Sequence, residues 1–154
     1  ITNTNLQVGE KGLTIQFLND KSNDDIDYYV RADKLRLFQV LSNLINNAIK
    51  FTNVKGVISI SINKADSLMS DNHNIHTLEK SDYVFVRIKD NGSGIDPEIQ
   101  SRLFSKFATK SDIGTGLGLF IAKSIIEAHG GKIWAENNKD GKGATFTFTL
   151  PLGK

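Results

Sequence analysis

Over residues 13–18 (L-T-I-Q-F-L) apolar and polar side chains alternate, a period of two that predicts a strand. Tyr28–Arg31 predicts a second, shorter one. The period then changes. Leu37, Leu41, Leu44 and Ala48 follow helical spacing, with Phe38, Ile45 and Ile49 widening the same face, and Asp33 stands where an N-cap belongs. A helix is therefore predicted from about Lys34 to Phe51. Alternation returns over Val57–Asn63 and Tyr83–Lys89, two more strands. Asp96-Pro97-Glu98 opens a short helix with proline in its first turn. Gly116–His129 is read as the second main helix, with Leu117, Ile121, Ile125 and Ala128 on one face. Gly130-Gly131 ends it, and His129 is a helix-end residue favoured by the dipole. Lys132–Asn137 and Ala144–Leu150 are strands joined by a Gly/Asp/Asn turn over Asn138–Gly143, with Trp134 expected in the core.

Between these elements lie two polar stretches without periodicity. Asn19–Asp27 reads as a solvated turn. Lys64–Asp82 is long for a connection, hence an insertion or mobile loop. Its His73 and His76 form an H-x-x-H pair, but no third metal ligand is evident beside them. At 154 residues the chain has room for one domain with a real core. A net charge of +2 is too small to argue for nucleic acid or a membrane surface. The absence of cysteine excludes disulfides and thiolate chemistry. No apolar run reaches the length of a membrane span and no signal peptide is visible. The chain begins with Ile1, and the expectation is a single domain, residues 1–154, cut from a longer protein.

Three stretches carry chemistry. On the predicted Lys34–Phe51 helix, a turn of about 100° per residue puts Asn43, Asn47 and Lys50 on one line, with Gln39 a turn earlier and Asn46 beside them. Asparagine is a poor helix former, so this cluster costs stability. It reads either as a solvated face or as a ligand face. An asparagine carbonyl suits Mg²⁺, and a lysine one turn on suits phosphate. The second stretch is D-N-G-S-G-I (90–95) at the end of a strand. It reads as a tight turn or as a ligand edge. An ionised Asp90 only accepts hydrogen bonds, so it would take the exocyclic amine of adenine and disfavour the guanine carbonyl. The third is I-G-T-G-L-G-L (113–119), with glycines at 114, 116 and 118 leading into a helix. This is a flexible turn or a phosphate cradle. Before it, L-F-S-K-F (103–107) carries two phenylalanines read as core. Lys106 and Lys110 are candidate phosphate contacts or plain surface lysines, and Ala108–Ile113 is small and polar, as a lid would be.

In order, N-L-I-N-N-A-I-K-F (43–51), D-N-G-S-G-I, L-F-S-K-F and G-T-G-L-G-L resemble the N, G1, F and G2 boxes of the catalytic, ATP-binding domain of sensor histidine kinases. The resemblance runs from about Leu13 to Leu150. It implies an α/β (α+β) two-layer sandwich, a mixed and mostly antiparallel sheet with helices on one face, shared with gyrase-type and mismatch-repair ATPases. It implies ATP and Mg²⁺ as cofactors. Asn47 would bind the metal, and Asn43 and Lys50 would contact phosphates or order that shell as the catalytic pair. Phe51 would lie against adenine, Asp90 would take its amine, and Gly92, Gly94 and Ile95 would shape the pocket. Gly114, Thr115, Gly116, Leu117 and Gly118 would line the phosphates, Leu119 would pack near the base, and Lys110 matches an often basic lid position. The long 64–82 connection departs from the pattern.

The implied reaction moves the γ-phosphoryl group of ATP to a histidine on a separate dimerisation domain, with a response-regulator receiver domain downstream. Family acceptors lie in H-E or H-D motifs. Here His73, His76 and His129 precede Asn, Thr and Gly, so the acceptor is expected elsewhere. This piece is then expected to be cytoplasmic and monomeric, without nucleic acid, and not to phosphorylate itself. Two readings stay open beside it. A gyrase or mismatch-repair ATPase carries a glutamate base one turn before the metal-binding Asn; Asn43 stands there. A degenerate, non-catalytic nucleotide-binding module would have kept the boxes and lost the reaction.

Overall fold

The computed structural model describes residues 8–18, 28–64, 83–108 and 115–153. Asn19–Asp27, residues 65–82 with His73 and His76, and residues 109–114 with Lys110 and Gly114 lie outside the described residues. Five strands form one sheet: β1 (Thr14–Leu18), β2 (Val57–Lys64), β3 (Tyr83–Asp90), β4 (Ile133–Asn137) and β5 (Ala144–Pro151). Their order is β1-β2-β3-β5-β4; β1 runs parallel to β2, and every other neighbouring pair is antiparallel. Among the described residues, residues 8–11 are helical, and the helices α1 (Lys34–Phe51), α2 (Pro97–Gln100) and α3 (Gly118–Ala128) accompany the sheet.

Alternation along the strands divides the sheet into two faces. Ile58, Ile60, Val84, Val86, Ile88, Phe146, Phe148 and Leu150 are buried with Val40, Leu44, Ala48 and Ile49 of α1 and Ala122, Ile125 and Ile126 of α3. Burying each Val, Leu, Ile or Phe among them stabilises the fold by about 1.5–3 kcal/mol. The register carries that face to the end of β3, because Asp90 pairs with Ile58 and so stands on the helix side. The opposite face is polar, with Ser59, Ser61, Arg87 and Lys89 along it. There Phe85 packs edge-on against Trp134, centroids 6.4 Å apart, over the buried Thr147 and Thr149.

α1 starts where its cap is. The Asp33 carboxylate accepts from the N–H groups of Leu35 (2.9 Å) and Arg36 (3.1 Å). α3 ends in a Schellman pattern, Gly130 N–H to Glu127 O and Gly131 N–H to Ile126 O. The two helix ends are joined by His129. Its Nε2 accepts from Asp33 N–H at 3.1 Å and its Nδ1 lies 2.8 Å from Ile125 O, so Nδ1 carries the ring proton.

Several expectations fail, among them Trp134, which is half-buried on the face away from the helices and outside the core expected for it. Among the described residues Tyr28–Arg31 makes no ladder, and its strand pairing is the isolated bridge Val30–Leu152 just beyond the end of β5. Phe38 is 57 % exposed, because the inward stripe of α1 centres on Val40, about 200° around the helix from it. Ala128 is exposed for the same reason relative to Ile126. α3 begins at Gly118 and not at Gly116, whose φ of +65° no right-handed helix admits.

Candidate functional site

Asp90 ends β3 at 4 % exposure. Both hydrogen bonds to its carboxylate fall on Oδ1, from Gly92 N–H (2.9 Å) and Ala144 N–H (3.4 Å). Among the described residues nothing donates to Oδ2. Burial pushes the carboxyl above its ordinary 3.8, and the two N–H donors offset this only in part. The loop that follows folds back onto the end of α1. Ser93 N–H donates to Phe51 O at 3.2 Å, and a Cβ on residue 92 would meet that oxygen at 2.2 Å, so only glycine fits. Phe51 is half-exposed at the foot of this loop, with the Lys50 ammonium 5.2 Å from its ring centroid. Ile95 is buried against the same core.

One turn before Phe51, Asn47 is half-buried, and among the described residues nothing hydrogen-bonds its amide. One turn earlier again, Asn43 Nδ2 donates to Gly118 O at 3.0 Å. The polar line of α1 thus runs from the glycine-rich stretch at Asn43 to the Asp90 loop at Phe51. Asn46 is exposed, off that line.

At the glycine-rich stretch, Gly116 takes φ +65° and its O accepts from Phe107 N–H at 3.1 Å. A Cβ there would sit 2.7 Å from the Phe107 carbonyl carbon. Phe107 itself has φ +61° and is 69 % exposed, contrary to the expectation of a core residue. Leu103 and Phe104 take the core positions instead, Phe104 edge-on to Phe146. Lys106 holds its ammonium over the Phe120 ring, 5.1 Å from the centroid, on the first turn of α3. The α1 and α2 N-termini are capped by Asp33 and Asp96, whereas Leu117 gives α3 no side-chain cap. Among the described residues no side chain caps the first-turn N–H groups of α3, an arrangement that suits an anion. Thr115 is exposed, and Leu117 and Leu119 are half-buried beside it. From the start of α3, along the amides of α1, to the Asp90 carboxylate at the end of β3, the described residues thus offer a helix start without a side-chain cap, a line of amides and a carboxylate oxygen that no described residue engages.

Several positioning groups were not anticipated. Lys11 Nζ donates to Ile49 O (2.8 Å), Lys50 O (3.0 Å) and Thr52 O (3.0 Å), closing the carbonyl end of α1. Thr52 is buried and donates from Oγ1 to Ala48 O at 2.6 Å. Asn91 Oδ1 accepts from Val57 N–H at 2.8 Å.

Residues 32–154 match the model of the family described as histidine kinase-, DNA gyrase B- and HSP90-like ATPases. The sensor histidine kinase WalK of Bacillus subtilis (strain 168) is 38 % identical over 133 residues, 82 % of this chain and 20 % of WalK. The sensor protein FixL of Bradyrhizobium diazoefficiens is 38 % identical over 142 residues, 92 % of this chain and 25 % of FixL. The chain thus spans a quarter or less of either relative. Among solved structures, the catalytic domain of the histidine kinase ThkA superposes with a TM-score of 0.72 at 34 % identity, covering 97 % of this chain and 86 % of that one. ThkA in complex with the response regulator protein TrrA superposes at 0.68 and 31 % identity, covering 99 % and 38 %.

Proposed function

We propose, for a chain that belongs to the histidine kinase-, DNA gyrase B- and HSP90-like ATPase family, that it is the ATP-binding catalytic domain of a sensor histidine kinase. The observation that carries this reading is Asp90. It is a buried carboxylate at the end of β3 with one oxygen tied to the backbone and the other engaged by no described residue, and the loop after it meets the end of α1, whose polar line leads to the α3 N-terminus. Asp90 Oδ2 would accept from the adenine amine, with Gly92, Gly94, Ile95, Phe51 and Leu119 around the base. Gly116, Gly118 and the uncapped amides of α3 would meet the phosphates, with Thr115, Leu117, Lys50 and the sequence-assigned Lys110 and Gly114.

Mg²⁺ fits the donor set: a half-buried amide oxygen on Asn47 that no described residue engages is the hard ligand such an ion takes. When bound, the ion neutralises charge on the β- and γ-phosphates. One Asn43 Nδ2–H is used on Gly118 O, which ties the start of α3 to α1, and the rest of the amide would contact phosphate or order the metal shell; an amide takes no proton from water. This disfavours the hydrolytic reading. The γ-phosphoryl group would pass to an imidazole nitrogen on a helical dimerisation domain, leaving ADP, and from there to a response regulator. The names of WalK, FixL and the ThkA–TrrA pair support that placement. A cytoplasmic, monomeric domain follows from the same reading.

Calorimetry with a non-hydrolysable ATP analogue, with and without Mg²⁺, tests the binding. Metal-dependent binding is expected, and a flat titration overturns the proposal. Supplying a phosphoacceptor helical domain in trans tests the reaction. Acid-labile label should appear on that domain and not on this chain; rapid phosphate release without it would favour an ATPase.

A further inference from the structure

Asn137, the last residue of β4, and Asn138, the residue after it, reach opposite ends of the Asp90–Ile95 loop with their side chains. Asn137 Oδ1 accepts from Ile95 N–H at 2.7 Å and its Nδ2 donates to Ile95 O at 3.0 Å. Asn138 Nδ2 donates to Asp90 O at 2.7 Å and to Lys142 O at 2.6 Å, while its Oδ1 accepts from Thr145 Oγ1 at 2.6 Å. The loop is thus fastened by its first carbonyl and by both polar groups of its last peptide-bearing residue. Fit is close on the far side too, since a Cβ on Gly143 would lie 2.1 Å from Asp90 O.

The chemistry requires amides. A carboxamide matches a residue's N–H and C=O pair with one acceptor and one donor at once; a carboxylate or hydroxyl cannot give Asn137 both bonds in that geometry. Asn138 is 9 % exposed and its donor lies on the carbonyl of the residue whose carboxylate is already disfavoured by burial. A carboxylate there would oppose ionisation of Asp90, and a neutral donor does not.

We propose that Asn137 and Asn138 are positioning residues that set the separation between the Asp90 carboxylate and the Ile95 pocket wall, and thereby the discrimination between adenine and guanine. The inference rests on the nucleotide-binding reading above. Neither residue touches the ligand; both act through the loop backbone.

The test is calorimetry on the 154-residue chain with Mg-ATP, Mg-GTP and inorganic tripolyphosphate, together with thermal melts. Asn138 is buried, so Asn137→Ala, on the edge strand β4, is the principal variant, and Asn137→Asp keeps only the acceptor to Ile95 N–H. Asn137→Ala should weaken ATP by about fivefold to tenfold, as loss of two neutral hydrogen bonds would. GTP and tripolyphosphate should be unchanged, so that selectivity falls. Asn137→Asp should lie between, and Asn138→Ser should show the same selectivity loss wherever it folds. Unchanged ATP affinity and selectivity in Asn137→Ala would overturn the proposal. So would parallel weakening of all three ligands with a lowered melting temperature, the mark of a merely structural role. Failure of the wild type to bind ATP is a separate outcome, which removes the nucleotide reading and this inference with it.

Discussion

Asp90→Asn isolates the group that reads the base. The substitution keeps side-chain size, and the asparagine Oδ1 can retain the N–H groups of Gly92 and Ala144. At the Oδ2 position it puts an NH₂ donor where an acceptor stood, facing the adenine amine. A charge-assisted hydrogen bond of about 1.5–3 kcal/mol is lost. At about 1.4 kcal/mol per tenfold, ATP should bind about 10–150-fold more weakly. Guanine offers a carbonyl at the same edge, so GTP should gain relative to ATP. Titration of wild type and variant with both nucleotides checks this. Stability should move the other way. Because burial holds the native carboxyl above its unfolded 3.8, the native state retains the proton over a window that begins at 3.8 and ends at the raised value. Wild-type stability from this group is therefore full below 3.8 and lost as pH rises through that window. The asparagine variant does not titrate, so its melting temperature should rise relative to wild type across the same window and keep the gain at neutral pH. A variant that binds ATP normally, still rejects GTP and melts in parallel with wild type at every pH would refute the assignment.

Three further outcomes are expected. Asn47→Ala should abolish the Mg²⁺ dependence of ATP binding with little change in melting temperature, because among the described residues its amide holds nothing in the fold; retained metal dependence would place the ion elsewhere. Lys11→Met should remove three bonds to the α1 carbonyl end and cost about 1.5–3 kcal/mol, a fall of roughly 3–10 °C for a domain of this size, read by thermal melts. Gly92→Ala should lower ATP affinity and stability together, since its Cβ would collide with Phe51 O, and calorimetry with melts would show both.

What could be read in advance depended on how local the cause was. α1 was legible end to end because its cap sits beside its first turn and its apolar period repeats within it. The Asn43–Asn47 line stood out because it runs against helix propensity. Its outward face was misjudged at Phe38 because Phe and Val are equally apolar in sequence, and only the sheet beneath α1 decides which turns inward. Lys11, Asn137 and Asn138 were not found. The partners that give them their part in the site are backbone groups 38 to 48 residues away, and a side chain bonded to backbone needs no complementary residue type at the far end. Asn137 therefore looked like the last residue of a strand and Asn138 like a turn residue.

Lys11 also decides where the folding unit must start. The family match opens at residue 32, yet the ammonium that closes α1 comes from residue 11 and the parallel neighbour of β2 from residues 14–18. A fragment trimmed to the match would expose the rim of β2 and leave Ile49, Lys50 and Thr52 without their donor. The helix that bears the whole polar line would then fray from the end nearest Phe51, so the boundary for expression lies upstream of the boundary of likeness.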